Sequence, residues 1–112
     1  MFDNLKNMGS LMDLMRNAGQ VQERIKGVHE NLAKRTVSAD AAAGAVVATV
    51  NGRLELVKLT IDKSRANAAD TELLEDLIVS AVRAAQDKAA DMMKEEMQKA
   101  ATDLGLPPGM MP

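Results

Sequence analysis

Residues 11–32 carry apolar side chains at Leu11, Leu14, Ala18, Val21, Ile25, Val28 and Leu32, spaced alternately three and four apart. That is the heptad stripe of a helix lying lengthwise against another helix. The rest of the chain offers few other ways to build a core. Its 112 residues include one Phe and no Trp or Tyr, and large rings supply much of the buried area in small domains. A core of aliphatic side chains and methionine is thin in a chain this short. The stripe therefore needs a partner, either a second helix near the C-terminus or a second copy of the chain.

The sequence reads as one domain over residues 1–112, with residues 1–9 and 106–112 expected as flexible tails. Ser10 is a suitable N-cap for a first helix over residues 11–34, and Asp13 suits its positive end. Gly19 and Gly27 each weaken that helix by roughly 1 kcal/mol relative to alanine, so packing along the stripe has to hold it together. The period then changes. Residues 35–39, 45–50 and 53–61 read as three strands of an antiparallel meander, and Asn51-Gly52 predicts a type I′ hairpin turn. Alternation puts Val57, Leu59 and Ile61 on one face and Leu54 and Leu56 on the other. A phase change near Leu56 predicts either a bulge or a strand covered on both sides.

Asp70 caps a second helix over residues 71–104, with Glu72 and Glu75 near its positive end. At 1.5 Å per residue that helix is roughly 50 Å long, more than a sheet of roughly 17–20 Å strands can cover. Its first half, with Leu73, Leu74, Leu77, Ile78, Ala81, Val82 and Ala85, suits the sheet. Its second half, with Ala89, Met92 or Met93, Met97, Ala100 and Leu104, suits the stripe of the first helix. Gly105 and Pro107-Pro108 end it. The expected architecture is α+β: a three-stranded antiparallel meander with two long helices forming a projecting arm.

Little in the sequence supports catalysis. His29 is the single histidine, there is no glycine-rich phosphate loop, and acidic pairs such as Asp62 with Asp70 or Glu95 with Glu96 read as caps and solvated faces. No enzyme activity, cofactor, metal or small-molecule substrate is expected. Nine methionines are unusual. Thioethers can ligate Cu(I), but Met8, Met12 and Met15, or Met93 and Met97, suit an adaptable helix seam better. The absence of cysteine excludes disulfides and fits a reducing cytoplasm. No stretch approaches the ~20 apolar residues of a membrane span, and none forms a signal-peptide core.

The net charge is -2 and the pI about 5.4, so nucleic-acid contact would need a local basic surface. Lys6, Arg16, Arg24, Lys26, Lys34 and Arg35 stand against Asp3, Asp13, Glu23 and Glu30 in the first 36 residues. Along the second helix Arg83, Lys88, Lys94 and Lys99 alternate with Asp87, Asp91, Glu95 and Glu96. One reading is a solvated, salt-bridged helix surface. The other is a dimer in which paired basic strips meet duplex phosphates. With no aromatic stacking platform, single strands are disfavoured.

The order of short motifs along nearly the whole chain resembles the YbaB/EbfC nucleoid-associated proteins. They are Leu11-Met12-Asp13-Leu14-Met15 with Gln20 and Gln22, then Gly44-Ala-Val-Val-Ala-Thr-Val-Asn-Gly52. Leu59-Thr-Ile-Asp62, Leu73-Leu-Glu-Asp-Leu-Ile78 with Lys88 in the Ala-rich helix, and Leu106-Pro-Pro-Gly-Met110 follow. The resemblance implies a cytoplasmic, nucleoid-associated homodimer with an α-β-β-β-α protomer and a tweezer-like outline. It implies binding to double-stranded DNA with little sequence preference, and a role in nucleoid organisation and transcription regulation. By position, it makes Arg16, Arg24, Lys26, Lys88, Lys94 and Lys99 the candidate DNA contacts. Asp13, Glu23 and Glu30 dilute the positive charge of an opening helix that is often richer in Gln and Lys in this family. A rival reading from composition is a protein-interaction module using the Met-rich helices and the apolar residues 106–112.

Overall fold

The computed structural model describes residues 2–105, with side chains from Met15 onward. The elements run α1 (Phe2–Lys34), β1 (Thr36–Ala41), β2 (Val46–Asn51), β3 (Leu56–Ile61) and α2 (Thr71–Asp103). The strands form one antiparallel sheet in the order β1-β2-β3, which is the predicted α+β arrangement. The molecule is long and narrow, 78 × 22 × 17 Å, because both helices outrun the sheet.

The limits of α2 follow the sequence signals closely. Asp70 is its N-cap, its side chain accepting from the Leu73 N–H at 3.1 Å. Past the C-cap Leu104, Gly105 takes the left-handed φ of +72° and its N–H donates to the Thr102 carbonyl at 3.0 Å, the usual use of glycine after a helix. The start of α1 differs from expectation. The helix begins at Phe2, so Ser10 is an interior residue and not a cap, and residues 2–9 belong to the helix. Leu5 and Met8 precede Leu11 at intervals of three, which a helix can continue, while Asp3 suits the positive end. The expectation for residues 106–112 falls outside the described residues.

Two clusters hold the chain together. In the first, Ala81, Ala85 and Ala89 of α2 lie on Ala39 of β1 and on Val46, Ala48 and Val50 of β2. Small residues one turn apart let the helix settle close to the sheet. In the second, Val28 and Leu32 of α1 meet Met92 and Ala100 of α2, with Met93 and Met97 at the margin. Val37 of β1 packs against both clusters. Among the described residues of the α1 stripe, full burial is confined to Val28 and Leu32: Val21 and Ile25 are half-buried and Ala18 is exposed. Met15 remains 72% exposed.

The β2–β3 hairpin corrects the predicted turn. Neither Asn51 nor Gly52 has a positive φ; Leu54 does, at 66°. The Leu54 N–H donates to the Asn51 carbonyl at 3.0 Å. The buried Asn51 side chain accepts from the backbone N–H of Arg53 at 2.9 Å and of Glu55 at 3.1 Å, so asparagine acts here through its amide, not through its tolerance of left-handed backbone. Gly52 is required for proximity. A Cβ there would meet the Leu32 side chain and carbonyl at 2.7 Å. Its N–H donates to the carbonyls of Leu32 at 2.8 Å and Arg35 at 3.0 Å, which docks the hairpin on the end of α1. Successive positive φ values occur instead in the β1–β2 turn, at Ala42, Ala43 and Gly44, where Arg65 Nη1 donates to the Ala43 carbonyl at 2.6 Å.

The phase change near Leu56 is a bulge. Thr49 pairs with Lys58 but Val50 pairs with Leu56, so Val57 is the extra residue. Directly opposed residues share a face, and Leu56 therefore joins Leu59 and Ile61 opposite Val50, Ala48 and Val46, whereas alternation alone put Val57 there. α2 covers β1 and β2 and barely reaches β3. In the single chain Leu56 is left 47%, Val57 53% and Leu59 37% exposed.

Candidate nucleic-acid interface

The arm consists of the second half of α2 lying against the C-terminal half of α1, and its two flanks differ in charge pairing. On one flank Arg24 Nη2 meets Asp103 Oδ2 at 3.1 Å, and Arg35 Nη1 meets Glu96 Oε1 at 2.7 Å. Lys99 Nζ lies 3.7 Å from the same Glu96 oxygen. The hydrogen bond from Arg35 holds the Glu96 carboxyl below the usual carboxylate range, with the charges of Lys99 and Arg35 adding to it. The first two ion pairs join α1 and its end to α2 across the chain, the third lies within α2, and all three cations stay partly exposed.

The opposite flank is an open groove of about 970 Å³ between α1, the β2–β3 hairpin and Met93 of α2. Ile25, Ala33, Gly52 and Met93 give it an apolar floor. Lys26, His29 and Lys34 of α1 and Arg53 of the hairpin rim it, with Glu30 among them. Arg53 Nε is 3.9 Å from Glu55 Oε1, and both side chains are more than half exposed, a contact too loose and solvated to fix either charge.

The six candidate contacts do not form one patch. Arg24 and Lys26 are two residues apart on a helix, hence roughly 200° apart around its axis; one faces Asp103 and the other the groove. Lys94 and Lys99 are separated by roughly 140° on α2 by the same geometry. Lys88 Nζ donates to the Ser38 carbonyl of β1 at 3.0 Å, tying the base of the arm to the sheet. Among the described residues Arg16, Lys26 and Lys94 have no ion pair; all three are exposed. Arg16 lies one residue from Met15, on the part of α1 beyond the packed seam. Lys34 and Arg53, which line the groove, are not among the candidates read from the sequence. The available signal was the hairpin itself, since a tight turn after Asn51 returns Arg53 toward the end of α1.

Among the described residues no group of His, Cys, Asp and Glu is placed to hold a metal ion, and no helix is long and apolar enough to cross a membrane. The geometry defines a small α+β protein in which a charged two-helix arm stands on a three-stranded base. Residues 8–104 match the model of the YbaB/EbfC DNA-binding family, and the chain belongs to that family, one of nucleoid-associated DNA-binding proteins and not of enzymes. It is 44% identical over 99 residues to a nucleoid-associated protein of Gemmatimonas aurantiaca, covering 86% of this chain and 95% of that one. A nucleoid-associated protein of Granulibacter bethesdensis is 42% identical over 103 residues, covering 92% and 96%. An uncharacterised protein of Helicobacter pylori, solved by crystallography, shares the fold with a TM-score of 0.59 at 22% identity, over 70% of this chain and 90% of that one.

Proposed function

We propose that this protein binds double-stranded DNA in the bacterial nucleoid as a cytoplasmic homodimer. It contacts the phosphate backbone through lysine and arginine on its arms and reads little sequence. Membership of the DNA-binding family across residues 8–104 is the observation that carries this reading. The relatives named as nucleoid-associated proteins support the location and a role in nucleoid organisation, through which it influences transcription. Arg16, Lys26 and Lys94 are the contacts favoured among the six, because Arg24 and Lys88 make hydrogen bonds within the chain and Lys99 lies in an ion pair with Glu96. Phosphate contacts position a protein on the duplex without carrying sequence information.

Self-association is supported by the apolar surface that a single chain leaves bare. Leu56, Val57 and Leu59 lie exposed on an edge strand, a feature that proteins ordinarily cover or charge. Part of the α1 stripe also lies beyond the reach of α2. The expected result in sedimentation equilibrium is a dimer for the native chain and a monomer for Val57→Asp with Leu59→Asp. A native monomer would refute the dimer.

The DNA reading is tested by competition. Unrelated duplexes of equal length should displace a labelled duplex at concentrations within a few-fold of one another. A strong preference for one duplex would require base-edge contacts and overturn backbone recognition. The rival interaction-module reading draws on the exposed Met15; under it, removing residues 106–112 abolishes partner binding, whereas the DNA reading has affinity unchanged.

A further inference from the structure

The geometry points to the open groove at the base of the arm as a track for one DNA strand, its phosphates held by Lys26 and Lys34 of α1 and by Arg53 of the β2–β3 hairpin. This rests on the DNA-binding reading and assigns to it a flank and two residues, Lys34 and Arg53. Charge is the first reason. On the other flank Arg24, Arg35 and Lys99 face Asp103 and Glu96, so a phosphate there competes with carboxylates already in place. In the groove Lys26, Lys34 and Arg53 share the rim with Glu30, and Glu55 stands beside Arg53; the difference lies in the two lysines, which no carboxylate among the described residues holds. Lys26 and Lys34 have no ion pair among the described residues, and Arg53 touches only the solvated Glu55 at 3.9 Å.

Reach is the second reason. Lys26 and Lys34 stand eight residues apart on α1, roughly 12 Å along its axis, a span long enough to meet more than one phosphate of a strand. Arg53 faces them from a different element. Its backbone is fixed by the Asn51 side chain at 2.9 Å, and the turn is seated on α1 through the Gly52 N–H bonds to Leu32 and Arg35. The guanidinium is thus presented from an anchored loop, and its planar fork suits paired phosphate oxygens. The floor of Ile25, Ala33 and Met93 offers aliphatic surface to the deoxyribose between phosphates. The occupant that fits an elongated groove with a cationic rim and an apolar floor is a sugar–phosphate strand.

The test uses the full-length chain and a labelled ~30 bp duplex, with affinity measured by anisotropy across a salt series. Lys34→Ala with Arg53→Ala should lower the slope of log K against log salt by about 0.9 for each lost phosphate contact in each engaged protomer. Arg24→Ala with Lys99→Ala should leave the slope at its native value. Glu30→Gln should raise affinity by roughly two- to fivefold, a gain that misfolding cannot mimic. An unchanged slope in the Lys34/Arg53 variant, with native binding intact, overturns the groove and spares the wider DNA reading. Failure of the native protein to bind overturns both. If the Lys34/Arg53 variant alters the sedimentation-derived self-association constant instead, the groove belongs to a second copy of the chain and the proposal is wrong. Because the chain contains no cysteine, Arg53→Cys and Lys99→Cys can each carry a single azidophenacyl photocrosslinker. Adducts to DNA are expected from position 53 and not from position 99; equal yields would overturn the assignment.

Discussion

The two halves of α2 do different work with different residues. Over the sheet the helix buries Ala81, Ala85 and Ala89, and the absence of longer side chains brings its backbone near β1 and β2. Along the arm it presents Met92, Met93 and Met97 to Val28 and Leu32, where unbranched thioethers fill the space between two curved surfaces. The first arrangement is a close fit between backbones, intolerant of added volume. The second is an adaptable seam, tolerant of change in shape but dependent on its few large anchors. A helix that is rigidly seated at one end and softly paired at the other is suited to hold an arm in place while its surface meets an irregular partner.

The contrast can be broken most severely at Leu32, which is fully buried, anchors the arm seam and receives the hairpin through its carbonyl. Leu32→Ala should cost about 2–5 kcal/mol, read as a lowered urea midpoint. A cost below about 1 kcal/mol would mean that the seam contributes little to folding. Next comes Ala85→Leu in the base, where added volume has nowhere to go and should cost about 1–3 kcal/mol. The matched change in the arm, Met92→Leu, nearly conserves volume and should cost less than about 1.5 kcal/mol. If the two variants were equally destabilised, the division between a close-fitting base and an adaptable arm would fail.

The smallest effect concerns the paired flank. In the folded chain the hydrogen bond from Arg35 lowers the Glu96 pKa. A depressed carboxyl stabilises the fold above the ordinary glutamate range, and this contribution is lost as pH falls through the lowered value. Arg35→Ala should therefore reduce the difference between urea midpoints at about pH 7 and about pH 3. An unchanged difference would show that the pair adds nothing to the acid response.

Local signals were enough to read α2 from its Asp70 cap to Gly105, a phase change near Leu56 with a bulge as one of two readings, and a stripe through Val28 and Leu32 able to pair with the methionines of the second helix. Each depends on residues close in sequence or on a repeating period. The early start of α1 is obscured because Gly9 and Ser10 look like a helix boundary. The hairpin turn was misread because Asn-Gly carries two separate capacities. The fold uses the amide of Asn51 and the missing side chain of Gly52, and neither left-handed backbone. The candidate DNA surface was the least legible part. Arg24 and Lys26 look equivalent in a helical segment until Asp103, 79 residues away, pairs with one of them. Lys34 and Arg53 come together only when the hairpin docks on α1, and no periodicity announces that contact.

The measurement that bears most directly on the account is the affinity of the native protein for a ~30 bp duplex as a function of salt. Backbone recognition by several basic side chains predicts saturable binding that weakens linearly in log salt, with a slope near 0.9 per phosphate engaged. Binding that is absent at low salt, from protein shown to be dimeric, or binding indifferent to salt, would contradict it.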